Sequence, residues 1–207
     1  AVLAMPCRAA MRVRAEDAGA VMRCLFALLV AFGSLAAHAE VRVTDDAGHS
    51  VVLTAPAKRV ISLGPHLTEL AYAAGGGDTL VGVIRYSDFP ETAKKLPIVG
   101  DAHAIDFERI AQLKPDLVLV WGSGLNERHK ARLRSLGLAV YESEIRQAQG
   151  IADTLRRLGT LLSRADSAEA AARRFESQWQ ALYRRYEGKP PVRVFWQLWH
   201  EPLMTIN

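Results

Sequence analysis

Three histidines stand just after apolar runs. His66 follows VISL and Gly64-Pro65, His103 follows PIVG and Asp101-Ala102, and His200 follows VFWQLW. With Asp101 or Glu201 beside them, three imidazoles and a carboxylate make a donor set that suits zinc or a similar ion. No HxH or HxxxH spacing accompanies them, so each taken singly reads as a helix cap or a cleft-lining residue. Wide rings hold equivalent positions. Tyr86, Phe89, Trp121 and Trp199 offer faces for stacking on a large, flat organic ligand. Tyr86 sits between Arg85 and Ser87-Asp88, a polar setting that reads as exposed, whereas Trp121 closes an apolar run and reads as core or ligand face alike. Two other chemistries fail on spacing. Trp121-Gly122-Ser123-Gly124 lacks the first glycine of a G-x-S-x-G nucleophile elbow, which leaves hydrolysis by Ser123 a distant alternative. Gly75-Gly76-Gly77 close a helix, whereas phosphate cradles open one.

These residues need a scaffold that brings them together, and the periodicity supplies one. Residues 41–54 alternate around Asp46-Ala47-Gly48 and predict a β-hairpin. Strands then alternate with helices. RVISL (59–63), LVGVI (80–84), DLVLVW (116–121) and LAVYES (138–143) are apolar strands, with PIVG (97–100) a shorter extended run. Helices are predicted over 66–74, 106–114, 126–137 and 147–162. Near-continuous apolar strands separated by helices imply a parallel sheet covered on both faces. Ligands of such sheets bind beyond the carboxyl ends of the strands, which is where the histidines and rings fall.

The rhythm breaks at 166–187, a stretch free of Gly and Pro. Asp166 and Glu169 have the spacing of a capping box, and Phe175, Trp179, Leu182 and Tyr186 form one apolar stripe. At 1.5 Å per residue this helix is roughly 33 Å long, suited to a strut between two lobes. Beyond Pro190-Pro191, VRVFWQLW (192–199) predicts one more strand. The expected organisation is an upstream extension and signal over 1–39, a hairpin over 40–57 and an α/β lobe over 58–165. A connecting helix over 166–188 and the start of a truncated second lobe over 189–207 complete it.

Export follows from the N-terminal region. Met22, Arg23, an apolar run from Cys24 to Leu35 and Ala37-His38-Ala39 form a secretory signal with cleavage expected after Ala39. Its loss would take both cysteines, Cys7 and Cys24, and lower the formal net charge from +4 to +2. The product should be periplasmic, soluble and not inserted in the membrane. No dense Lys/Arg block marks a nucleic-acid partner.

The strings RVISLGPHLTELAYAAG, LVGVIRYSDFP, FERIAQLKPDLVLVWGSG and RLRSLGLAVY together resemble the periplasmic vitamin B12-binding proteins of cobalamin ABC importers. The wider group binds haem and siderophores, and the likeness runs from about residue 58 onward. The resemblance implies an α/β, two-lobed substrate-binding protein with a Rossmann-like parallel-sheet N-lobe and a long connecting helix. It would be a monomer without enzymatic activity, binding cobalamin or a related corrinoid between lobes and delivering it to an inner-membrane permease. Carried over by motif, Pro65, His66, Tyr86, Trp121 and Gly122 line the cleft, and Glu108 docks on the permease. His103 and Trp199, at the ends of further strands, join the expected ligand-binding set. Where those proteins have a loop tryptophan, this chain has Ala102-His103. Haem or an iron chelate therefore stays open as the ligand, with His or Tyr as axial donor. So does direct metal-ion binding by His66, His103 and His200.

Overall fold

The computed structural model describes residues 40–101 and 103–205, apart from the side chains of Leu198 and Trp199. The upstream extension and export signal expected over 1–39 lie outside the described residues, as does Ala102. Among the described residues no helix is long and apolar enough to cross a membrane.

The described residues open with an antiparallel hairpin of β1 (Val41–Thr44) and β2 (Ser50–Leu53). Alternation turns Val51 and Leu53 inward while Ser50 and Val52 stay exposed. Asp45 shapes the turn: its Oδ1 accepts hydrogen bonds from the backbone N–H groups of Ala47 (3.0 Å) and His49 (2.7 Å).

Four strands then build the central sheet: β3 (Val60–Leu63), β4 (Leu80–Val83), β5 (Leu117–Trp121) and β6 (Ala139–Ser143). They lie in the order β4-β3-β5-β6, all parallel. Because side chains alternate, β5 feeds two separate cores. Leu117 and Leu119 pack on one face with Leu67, Tyr141, Leu155 and Leu158, while Val118 and Val120 pack on the other with Ile110 and Leu133. Among the described residues five α-helices alternate with or follow the strands: α1 (Pro65–Ala73), α2 (Phe107–Leu113), α3 (Glu127–Ser135), α4 (Ala148–Leu161) and α5 (Ala165–Tyr186). Asp106 and Asn126 cap α2 and α3 by accepting from the N–H groups of Arg109 (2.8 Å) and His129 (2.9 Å). The run at 97–100 is no full strand. Ile98 bridges Val83 and Gly100 bridges Ile105 singly, and Pro97 brings no N–H to a ladder.

Three expectations about the helices need correcting. His66 does not cap α1, because the helix already begins at Pro65, with Gly64 as its uncapped entry residue. The Asp166–Glu169 capping box does not form. Arg164 precedes α5, and Glu169 is drawn instead to Arg156 (2.7 Å) and Arg173 (2.7 Å), which hold its pKa down at about 2. Only the first residue of the α5 stripe reaches the core. Phe175 packs on the core beside the buried Ala168, Ala171 and Ala172, whereas Trp179, Leu182 and Tyr186 are 48%, 52% and 55% exposed.

The strand expected over 192–199 is also shorter. Val192, Val194, Phe195 and Trp196 are exposed and outside any strand. Only β7 (Gln197–His200) finds a partner, pairing antiparallel with β8 (Leu203–Thr205), since a strand persists only where a neighbour takes its backbone groups.

The hairpin also closes one edge of the sheet. Asp46 N–H donates to the Glu142 carbonyl (3.0 Å), and the Glu142 N–H donates to Asp45 Oδ2 (3.2 Å). Asp46 Oδ2 then takes the Glu144 N–H (2.8 Å) and the Ser143 hydroxyl (3.2 Å), and Arg157 pairs with the same carboxylate. The outer backbone groups of β6 are thus met by a turn rather than left as a bare edge.

Candidate functional site

The carboxyl ends of β3, β4, β5 and β6 point the same way, so the loops after them share one rim of the sheet. At its centre His66 and Trp121 meet edge to face, ring centroids 5.4 Å apart and planes at 85°. Trp121, the last residue of β5, is 42% exposed, so it is a surface ring rather than core. Burial lowers the His66 pKa, with the charge of Glu144 partly opposing it, so the imidazole is neutral at neutral pH. The indole lies over Gly124: a Cβ there would sit 2.1 Å from it. A Cβ on Gly122 would stand 2.8 Å from Glu144 Oε2, so any larger residue there would push that carboxylate aside.

Charge holds this loop. Glu144 Oε2 accepts the Ser123 N–H (2.7 Å), and Oε1 accepts the Ser123 hydroxyl (3.2 Å). Behind it Lys130, 2% exposed, donates to the Gly122 carbonyl (3.1 Å) and to Glu142 (2.6 Å), and also pairs with Glu127. Arg134 reaches the other Glu142 oxygen at 3.3 Å. Burial alone would lower the Lys130 pKa, but hydrogen bonds to Glu127 and Glu142 outweigh it, and the ammonium lies above its ordinary value.

Neutral hydroxyls hold the neighbouring loops. Ser62, Thr68 and Ser87 are all buried. The Thr68 hydroxyl lies 2.9 Å from that of Ser62 and 3.1 Å from that of Ser87, and Ser62 donates to the Gly64 carbonyl (3.0 Å). This chain ties the entry of α1 to the turn that carries Tyr86. Tyr86 itself is 73% exposed with φ +70°, a left-handed backbone that costs about 1–2 kcal/mol and swings the ring out of the sheet.

Pro65, His66, Trp121 and Gly122 are therefore brought together, with Tyr86 and His103 on adjoining loops. His103 is exposed; its N–H and that of Ala104 donate to Asp101 Oδ1 at 2.9 and 3.0 Å, and these bonds lower the Asp101 pKa. Phe89 turns instead into a groove with Leu70, Leu155 and Phe175. Glu108 is exposed in the first turn of α2. Trp199 belongs to β7 by its backbone, and its side chain lies outside the described residues. His200 is exposed in the same strand, and among the described residues no three His, Cys, Asp or Glu side chains are grouped to hold a metal ion. The hydrogen-bond partner of the Ser123 hydroxyl is a carboxylate rather than a histidine.

Sequence reasoning missed Glu144, Lys130 and the hydroxyl chain. One signal was present: Glu142 and Ser62 interrupt otherwise apolar strands, and polar groups buried there require partners.

Residues 60–206 match the family described as periplasmic binding protein. The vitamin B12-binding protein of Vibrio cholerae is 41% identical over 151 residues, covering 73% of this chain and 55% of that protein. The vitamin B12-binding protein of Yersinia pestis is 43% identical over 157 residues, covering 74% and 56%. Among solved structures, the periplasmic vitamin B12 binding protein of Vibrio cholerae superposes with a TM-score of 0.70, covering 73% of this chain and 59% of that one. A periplasmic heme-binding protein in complex with two hemes superposes at 0.62 with 30% identity, covering 69% and 57%. The chain spans about half the length of the curated relatives it matches.

Proposed function

The chain belongs to the periplasmic binding protein family, and from that premise we propose that it is the substrate-binding component of an ABC importer that takes up cobalamin or a related corrinoid. The observation that carries this reading is the exposed Trp121 braced edge-on by a neutral His66, with Tyr86 projecting from the next loop. Stacking surfaces of this kind suit a broad macrocycle, because aromatic faces bind with little loss of side-chain freedom. The relatives named for vitamin B12 at 41–43% identity support the same choice.

In this proposal Pro65, His66, Tyr86, His103, Trp121 and Gly122 form one wall of the cleft, with Trp199 contributing from beyond α5. The segments 40–57, 58–165, 166–188 and 189–207 act as hairpin, first lobe, connecting helix and start of a second lobe. Glu108 docks on an inner-membrane permease, the signal over 22–39 directs export, and the mature protein is a monomer that binds without catalysing. A second reading, haem as ligand, draws support from the heme-binding relative and from His66 as an axial donor.

Equilibrium titration with cyanocobalamin, haemin and a ferric siderophore tests this. Saturable binding of cyanocobalamin, tighter than that of the other two, is the expected result. Binding of haemin alone would transfer the assignment to haem, and absence of saturable binding to all three would end it.

A further inference from the structure

The rim has few charges, and their pairing is informative. The turns at the rim itself, residues 84–90, 101–104, 122–126 and 144–147, carry two cations among the described residues, Arg85 and Arg146. Each already faces a carboxylate: Asp101 lies 3.8 Å from Arg85, and Glu144 lies 3.7 Å from Arg146. Asp88 adds another carboxylate. The cations deeper in, Lys130 and Arg134, are turned to Glu142. A ligand edged with carboxylates would therefore meet a rim without a spare cation among the described residues.

Glu144 stands where such an edge would arrive. It is next to Gly122, the residue after the exposed Trp121, so the periphery of a macrocycle lying on that indole passes within reach of it. Its side chain keeps 25% of its surface open. Ser123 and Arg146 engage its oxygens, yet a carboxylate offers about four acceptor sites and so retains capacity for a further donor. It cannot readily withdraw. Its backbone N–H is fixed by Asp46 and its oxygens by Ser123, which makes it a preset charge rather than a mobile one.

We infer that Glu144 is a specificity-determining residue that admits a macrocycle edged with neutral hydrogen-bond donors, such as the carboxamides of a corrinoid, and rejects one edged with carboxylates, such as the propionates of haem. This rests on the proposed corrinoid function and deepens it. Attraction and rejection come from one group: the carboxylate accepts from an amide N–H and repels an anion at the same place, so specificity needs no second device.

The test keeps the macrocycle constant and changes only its edge. The full chain is titrated with cyanocobalamin and with its b-, d- and e-monocarboxylic acids, in each of which one carboxamide has become a carboxylate. At least one acid is expected to bind the wild type roughly tenfold more weakly than cyanocobalamin, because like charges oppose at close range. Glu144→Gln should reduce that penalty to about twofold or less, and cyanocobalamin itself should weaken several-fold, because the amide keeps an acceptor but loses the charge that strengthens the bond. Raising the salt concentration should shrink the penalty in the wild type, a measurement that needs no variant. Equal binding of all four ligands, or a penalty that persists in Glu144→Gln and in high salt, overturns the inference alone. So does an acid that binds more tightly than cyanocobalamin and loses that advantage in Arg146→Gln. Absence of corrinoid binding by the wild type removes the functional reading and this inference with it.

Discussion

Two loops stand side by side on the rim, and opposite chemistries hold them. The loop after β3 is fixed by the uncharged Ser62–Thr68–Ser87 chain, all within a short sequence span. The loop after β5 is fixed by Lys130, Glu142 and Glu144, and the backbone N–H groups of the two glutamates are in turn tied to Asp45 and Asp46, 97 and 98 residues away. Hydroxyls are cheap to bury and set a position without setting a potential. Ions cost desolvation but project charge onto whatever lies beside them. The first loop thus supplies geometry for a ring to lie on, and the second supplies both geometry and a sign.

The largest expected effect breaks the charged side. Lys130→Met leaves Glu142 buried with only a half-exposed Arg134, and should cost about 3–5 kcal/mol of stability in urea unfolding. The double variant Lys130→Met/Glu142→Leu should recover most of that loss; simple addition of two losses would show that the ions do not act as a unit. Next comes Thr68→Val, which strips the centre from the hydroxyl chain and should cost about 1–3 kcal/mol. If the two losses proved equally sensitive to pH, the contrast between the loops would be lost. His66→Ala is expected to weaken cyanocobalamin binding about tenfold with little change in melting temperature, as truncating a contact residue does. A lowered melting temperature with unchanged affinity would make His66 a structural residue only.

Titration sharpens the comparison further, because the two loops should weaken at opposite ends of the pH scale. Lys130 has a folded pKa above 10.5, so its contribution is complete below that value and is lost as pH rises through the raised one. His66 has a folded pKa below 6.5, so the unfolded chain binds more protons just under that pH, and stability declines as pH falls through this window. Thermal melts of the wild type, Lys130→Met and His66→Ala across the pH range would separate the two. The smallest effect is spectroscopic. Because Glu144 raises the His66 pKa against burial, Glu144→Gln should lower it further, as read by NMR titration of the imidazole.

Much of the scaffold was legible in the chain because it is local. Strict apolar runs gave β3 to β6, the hairpin signal at Asp46-Ala47-Gly48 gave β1 and β2, and Gly and Pro marked most helix ends. His66 and Trp121 could be assigned to a common rim because strand direction alone brings their loops together. Their edge-on contact could not be read, and neither could Glu144, whose role depends on Ser123 and Asp46, partners 21 and 98 residues away. The stripe on α5 shows the same limit. Its period was plain, but the period does not say that Phe175 finds a core while Trp179, Leu182 and Tyr186 remain open. Likewise Asp166 and Glu169 had the right spacing for a cap, and an arginine from the preceding helix claimed the glutamate.

The clasp of the hairpin on β6 has a consequence in time. The turn at Asp45-Asp46 is synthesised first, but the strand it clasps follows 97 residues later. At a translation rate of about 5–20 residues per second, the turn waits roughly 5–20 s for its partner to exist. During that interval, and in any refolding that begins with the parallel strands, β6 offers its backbone to whichever chain arrives first. The hairpin therefore acts as a latch against misassembly: the rim beside Trp121 reaches its final shape only when this early turn closes over β6, the last strand of the central sheet to be made.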